Sequence, residues 1–208
     1  MANLNGSFGL RPLSKLGGGA NSTGLTGYSP YEIASDNSDK IYHGQLVIPL
    51  ASGYIDHTAN AAGGTVSHLG VFQGCQYVSS VNGKTIWSNY WPGSGADSDF
   101  PVQAFINDDP SQLYVIATDA SWTSKANARA SVFLNASLST GITGTDSTGL
   151  SLGRLAISTL ATTNSLSLRV LGWVEDEANS DFASAGIGAI VRLNNSFNAP
   201  TGSIAAGT

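Results

Sequence analysis

From Tyr28 onward the apolar residues come in short stretches, and each is soon cut off by glycine, serine, asparagine, aspartate or proline. "KIYHGQLVIPLA", "GYIDH", "VSHLGVFQGCQYV", "PVQAFIND", "QLYVIATD", "ASVFLNASL", "LSLGRLAIS", "SLSLRVLGWVED" and "IGAIVRLN" follow one another at roughly ten- to twenty-residue intervals. No segment keeps a helical period long enough to bury one face of a long helix, whereas strands fit these lengths. In "SLSLRVLGWV" Leu166, Leu168 and Val170 alternate with Ser165, Ser167 and Arg169, the pattern of a half-buried strand. Gly44 divides one stretch in two, and Pro49 marks an edge or a strand end. Asn82-Gly83 in "YVSSVNGKTIW" predicts a hairpin with a type I′ turn, setting Val81 against Lys84, Ser79 against Ile86 and Val78 against Trp87. "SWTSKANARASVF" is the one stretch with helical character, enough for one short helix.

Composition agrees. Charged residues make up 11% of the chain, so solubility must come from Ser, Thr, Asn and the 25 glycines, which suit turns and strands. The sequence therefore predicts an all-β fold: a single jelly-roll-like, β-sandwich or barrel domain over residues 28–198 with an extended N-terminal arm. Residues 1–27 are interrupted by glycine throughout and predict an arm that is costly to order without a partner. Residues 199–208, "APTGSIAAGT", read as a flexible tail.

Charge and cysteine use exclude several classes of function. The net charge is −5 and the nine basic residues are scattered, so the basic stripe that nucleic-acid binding needs is missing. The single cysteine, Cys75, rules out an intrachain disulfide. No apolar run approaches the ~18 residues of a membrane span, and the start lacks the basic-then-apolar pattern of a secretory signal. No nucleic acid, membrane or cofactor is expected.

The catalytic inventory is thin. His43, His57 and His68 show no paired ligand spacing, and no metal site is expected. "DNSD" with Asp36 and Asp39, "NDDP" with Asp108 and Asp109, and "EDE" with Glu175, Asp176 and Glu177 offer oxygen ligands of the kind calcium accepts. None follows the twelve-residue calcium-loop pattern, and turn-forming Asp and Asn account for them. No Gly-x-Ser-x-Gly elbow is present, and "GGGANSTG" lacks the lysine ending of a phosphate loop. No catalytic residue is assigned, and the chain is expected not to be an enzyme. Trp87, Tyr90 and Trp91 have two readings. They are a subunit interface or a glycan platform, or Trp87 is core while Tyr90 and Trp91 pack on a neighbouring loop or subunit.

"MANLNGSFGLRP…LGGG", "YEIASD", "IYHGQLVIPLASGYI", "HLGVFQGCQYVSSVNGKTIWSNYWPG", "VQAFINDDP" and "LSLRVLGWVEDEAN" together resemble small structural proteins of tailed bacteriophages, the capsid decoration or cement proteins. The resemblance runs over most of the chain. It implies a non-enzymatic virion protein on the exterior of the capsid, bound to the major capsid protein and tying capsomers together, commonly as a homotrimer. It also implies that the arm touches the capsid, with Leu4, Phe8 and Leu10 as apolar anchors. Arg11 would be the charged contact and Pro12 a stiffener. An acidic chain fits an outer location, away from packaged DNA. The alternative from another class is a virion adhesin that binds glycans or a receptor through the aromatic loop.

Overall fold

The computed structural model describes residues 3, 4, 6–16, 27–57, 67–139 and 143–199. Residues 200–208, nearly all of the expected tail, and 17–26 of the expected arm lie outside the described residues.

In chain order the strands are β1 (Arg11–Lys15), β2 (Ser29–Ile33), β3 (Leu46–Pro49), β4 (Ile55–His57), β5 (Gly70–Val78), β6 (Thr85–Ser88), β7 (Val102–Asn107) and β8 (Gln112–Ala117). After the helix α1 (Lys125–Ala130) come β9 (Asn135–Ala136), β10 (Leu138–Ser139), β11 (Gly144–Thr145), β12 (Leu150–Ser151), β13 (Arg154–Leu155), β14 (Leu168–Trp173) and β15 (Gly188–Leu193). The domain is all-β. One antiparallel sheet of five strands runs β1-β8-β15-β14-β9; a second of six runs β2-β7-β5-β3-β4, with β6 also paired to β5. β10–β13 and β11–β12 form two small ribbons.

Alternation decides the faces. In β8, Tyr114 and Ile116 point inward while Leu113 and Val115 are half-buried on the outside, and β15 alternates the same way from Gly188 to Leu193. The inner row packs with Leu10, Trp122, Leu155, Leu168, Val170 and Trp173 into the first core. Leu46 and Val71, from the six-stranded sheet, join that core. Their sequence neighbours Val47 and Phe72 point the other way, into a second core with Ile33, Ile41, Ile55, Trp91 and Ala104. One end of the six-stranded sheet is thus buried on both faces. Tyr114 ties the layers: its hydroxyl donates within 3.2 Å of both the Asn107 main-chain oxygen and Oδ1.

α1 stands where the sequence puts its helix, capped by Ser124 Oγ, which accepts from Asn127 N. The hairpin forms, with a different turn. Val78 pairs with Thr85 and Gln76 with Trp87, two residues off the expected register. Ser79 N donates to Lys84 O and Gly83 N to Ser79 O, so four residues make the loop. Of Asn82 and Gly83 only the glycine has positive φ, which a type I′ turn does not allow. Ser80 is engaged by Gly95 O through both its N–H and its hydroxyl, and this contact draws the chain out of the tighter turn. A shift of two keeps every side chain on its expected face.

The largest correction concerns the arm. Residues 11–15 are an edge strand of the domain's own sheet, paired Arg11 to Val115 and Lys15 to Gln112. Leu10 is completely buried in the first core and is unavailable as a capsid anchor. Asn3 is buried too. Its amide nitrogen donates to the carbonyls of Asp181, Ser184 and Ala185, and its oxygen accepts from Asp181 N at 3.0 Å. Arg154 Nε donates to Ser7 Oγ at 2.6 Å, and Lys15 pairs with Asp109 at 2.8 Å. The glycine at position 9 serves close approach, not flexibility. Its φ is +67°, and a Cβ there would lie 2.7 Å from Gly44 O, whose own residue has φ +84°. The two backbones cross without side chains between them, and Leu10 N donates to Gly44 O at 2.9 Å. Deleting residues 1–16 therefore removes part of the fold, contrary to what a detachable arm implies.

Leu10→Ala should cost about 2–5 kcal/mol, the range for truncating a buried leucine. Leu4→Ala, at a side chain left 75% exposed, should stay within about 0.5 kcal/mol of the parent. Urea unfolding of both variants checks this, and equal midpoints would mean that the first segment is not docked.

Candidate functional site

Catalytic chemistry finds little support among the described residues. His68 is buried, and its Nε2 lies 2.9 Å from Ser167 Oγ, the pairing of a nucleophile and its base. Its Nδ1 has no partner, so no carboxylate orients the ring, and burial pushes its pKa down to about 4. The contact joins β5's approach to the end of the chain: His68 N donates to Asn195 O and Phe197 N to His68 O. His43 sets Nδ1 3.0 Å from Gln73 O. His57 sits on Asp56, whose Oδ1 lies 3.0 Å from its Nδ1; the contact raises the imidazole pKa above its usual range. Asp39, Asp56 and His57 bring their ligand atoms within 4.8 Å of one another, and they could hold a cation. Asp56 Oδ1 already accepts from His57 N and Asn37 Nδ2, so the protein itself satisfies the group. Cys75 is buried and its pKa is pushed up to about 12, leaving an unreactive thiol.

Two surfaces stand out instead. The first is the outward face of the five-stranded sheet. Across it run Arg11, Val115 and Ile190 in one row and Leu113, Arg192, Arg169 and Asn135 in the next. A sheet face turned to water is normally polar. This one is aliphatic and arginine-bearing. Arg169 and Arg192 are directly opposed, an arrangement that destabilises a sheet when nothing intervenes. Among the described residues neither takes part in an ion pair. Arg169 Nε donates to Asn135 Oδ1 at 3.0 Å, while Arg192 Nε is buried without a partner. At the β1 edge, Leu4, Phe8 and Arg11 border a cleft of about 210 Å³ with Val115, Val174, Gly188 and the carboxylate-bearing Asp176. The Arg11 guanidinium sits 4.6 Å from the Phe8 ring centroid. At the far edge Phe133 is 75% exposed and holds φ +75°, a conformation bulky side chains rarely adopt.

The arm residues thus divide. Leu4, Phe8 and Arg11 share this surface, Pro12 pairs with Tyr114 within the sheet, and Leu10 lies beneath.

The second surface is a groove of about 470 Å³ on the six-stranded sheet, lined by Tyr28, Gln73, Gly74, Cys75, Trp87, Ser88, Asn89 and Phe105. Here the aromatic expectations are redistributed. Trp87 is not core. It stands on the outward side of β6, 71% exposed, stacked parallel to Phe105 at 5.6 Å. Trp91 is the core residue: it is fully buried, edge-on to Tyr77, with Nε1 donating to Asn37 O. Tyr90 stacks on Tyr42. The three therefore form no common platform. Strand alternation explains Trp87, and the reciprocal main-chain bonds between Trp91 and Ile41 explain Trp91. Sequence reading missed Phe105 and Tyr28 because nothing local links them to Trp87.

The chain matches no protein-family model, and no curated protein or solved structure shows significant similarity to it. Among the described residues no helix is long and apolar enough to cross a membrane.

Two predictions test these assignments. Above pH 6.5 His68 is neutral in both folded and unfolded chains. Between 6.5 and about 4 only the unfolded chain takes up the proton, so stability falls with pH, by about 3 kcal/mol in all at 1.36 kcal/mol per pH unit. In His68→Gln the loss of unfolding free energy between pH 8 and pH 4.5 should shrink by about 2–3 kcal/mol. Phe133→Gly relieves the left-handed backbone and should leave the urea midpoint unchanged or raise stability by up to ~1 kcal/mol. A clear loss would mean that the ring is packed in the fold.

Proposed function

We propose that this protein is a non-enzymatic structural component of a tailed-phage virion. It binds the outer surface of the capsid through the outward face of its five-stranded sheet and ties capsomers together. The observation that carries the reading is that face itself. Leu113, Val115 and Ile190 lie half-buried beside Arg11, Arg169 and Arg192, and the last two are directly opposed with no ion-pair partner among the described residues. Apolar side chains with arginine are what protein interfaces are enriched in. Acidic side chains on the capsid protein would give the two opposed arginines carboxylate partners, with the planar fork matched to a carboxylate. The resemblance of "MANLNGSFGLRP" and the later motifs to decoration proteins supports the same partner. The net charge of −5 suits an exterior position.

The anchors differ from those expected of a loose arm. Leu4, Phe8 and Arg11 are held in place before docking, so binding pays little ordering entropy at these residues. Four interstrand spacings make the face roughly 19 Å wide, and strands of this length run for about 17–20 Å. That area is well below the ~800 Å² per partner of a stable interface. Firm attachment then needs several copies acting together, which a homotrimer supplies by avidity of ~10²–10⁴.

Purified protein added to heads stripped of it should decorate them and raise their melting temperature, and imaging of the intact virion should find it outside the shell. The double variant Val115→Asp, Arg192→Glu should keep a cooperative melt yet bind heads at least ~10-fold more weakly. Undiminished decoration by that variant would refute this docking face.

A further inference from the structure

We propose that the groove between Trp87 and Phe105 is a carbohydrate-binding site for a neutral saccharide, with a pyranose ring lying on the free face of the Trp87 indole.

The backbone builds the groove. β5 and β7 pair in regular order up to Phe72 and Ile106, slip by one residue, and resume with Gly74 opposite Phe105. Gly74 has φ +142°, and a Cβ there would stand 3.0 Å from Ser88 O. With no side chain at this position, the outward face carries a gap between β6 and β7. Trp87 and Phe105 close over it from the two flanking strands, their planes 2° apart. One face of the indole is used against Phe105. At 71% exposure the other is open to solvent.

The lining selects the ligand. The eight residues include no Asp, Glu, His, Lys or Arg; Gln73, Ser88 and Asn89 supply neutral polar groups. No charged side chain lines the groove to pair with a phosphate, a carboxylate or an inorganic cation. Gln73 Nε2 is buried with no hydrogen-bond partner. A buried donor left this way costs free energy, and native proteins rarely keep one without cause. It needs an acceptor oxygen, reached by a rotation of the terminal amide toward the groove. Asn89 is anchored by its Nδ2 bond to Thr148 O at 2.7 Å, so its position beside Trp87 is fixed. A ligand with an apolar C–H face for the electron-rich indole and hydroxyl oxygens at its edge matches both requirements. That is a sugar. The groove's size lies within the range of small-molecule sites.

This site is separate from the capsid-docking face, which lies on the other sheet, so either reading can fail alone. The test is a glycan array of bacterial and mammalian oligosaccharides probed with the full chain, followed by titration of the intrinsic tryptophan fluorescence with the best neutral hit. Binding by a neutral glycan that quenches or shifts the emission is expected. Trp87→Ala should weaken it at least ~10-fold, and Gln73→Leu measurably, with melting curves close to the parent because Trp87 is exposed. Trp87→Phe, which keeps an aromatic face, should retain part of the affinity. A flat array would overturn the proposal, as would binding indifferent to Trp87→Ala. So would a ligand-free protein whose Trp87 is shielded from acrylamide by self-association, since the groove would then be an interface between copies.

Discussion

Two backbones cross at Gly9 and Gly44 with no side chain between them, and much of the domain's organisation follows from that contact. Leu10 N donates to Gly44 O, and Gly44 N in turn donates to Phe72 O in the six-stranded sheet. One residue further on the chain enters β1 of the other sheet. The first segment therefore works as a clasp, with one end in each layer and Leu10 filling the core between them. A Cβ at either glycine would meet main-chain atoms at 3.0 Å or less, so a side chain there would force the layers apart.

The clasp also determines what is left outside. Because Asn3 and Leu10 face inward, Leu4, Phe8 and Arg11 are presented at the edge of an aliphatic, arginine-bearing sheet surface. On the opposite layer, one missing side chain at Gly74 opens a neutral aromatic groove. The two surfaces differ in chemistry: one offers aliphatic side chains and guanidinium groups, the other an indole face and an unpaired amide. Neither contains an activated nucleophile or an oriented base, which is why binding is the better reading of both.

Much of the fold could be read from the chain. The alternation in "SLSLRVLGWV" placed Leu168 and Val170 in the core and Arg169 outside, although Ser167 is buried too and Leu166 only half-buried, and the one helix lies within "SWTSKANARASVF". The readings that needed correction turn on contacts distant in sequence. Glycine at 9 looks like flexibility until Gly44 is placed against it. Asn82-Gly83 signals a tight turn unless Gly95 engages Ser80. Trp87 and Trp91 are four residues apart and similarly hydrophobic, and only the pairing of β6 and the Ile41 bridge decides which one is buried. The candidate sites were the least legible part. The groove joins Tyr28, Gly74, Trp87 and Phe105 from four separate stretches.

The clasp has a consequence for biosynthesis. Asn3 takes its partners from Asp181, 178 positions later, and β1 lies against β8, whose other neighbour is β15 near the end of the chain. At ribosomal speeds of about 5–20 residues per second, the first residues wait roughly 9–36 s before their acceptors exist. Until β8 is made, roughly 100 residues after β1, the edge of β1 travels unpaired, a hazard for any nascent sheet. Closure of the clasp is then a late event of maturation, and the exposed N-terminal stretch of an unfinished chain is where a chaperone would find its hold.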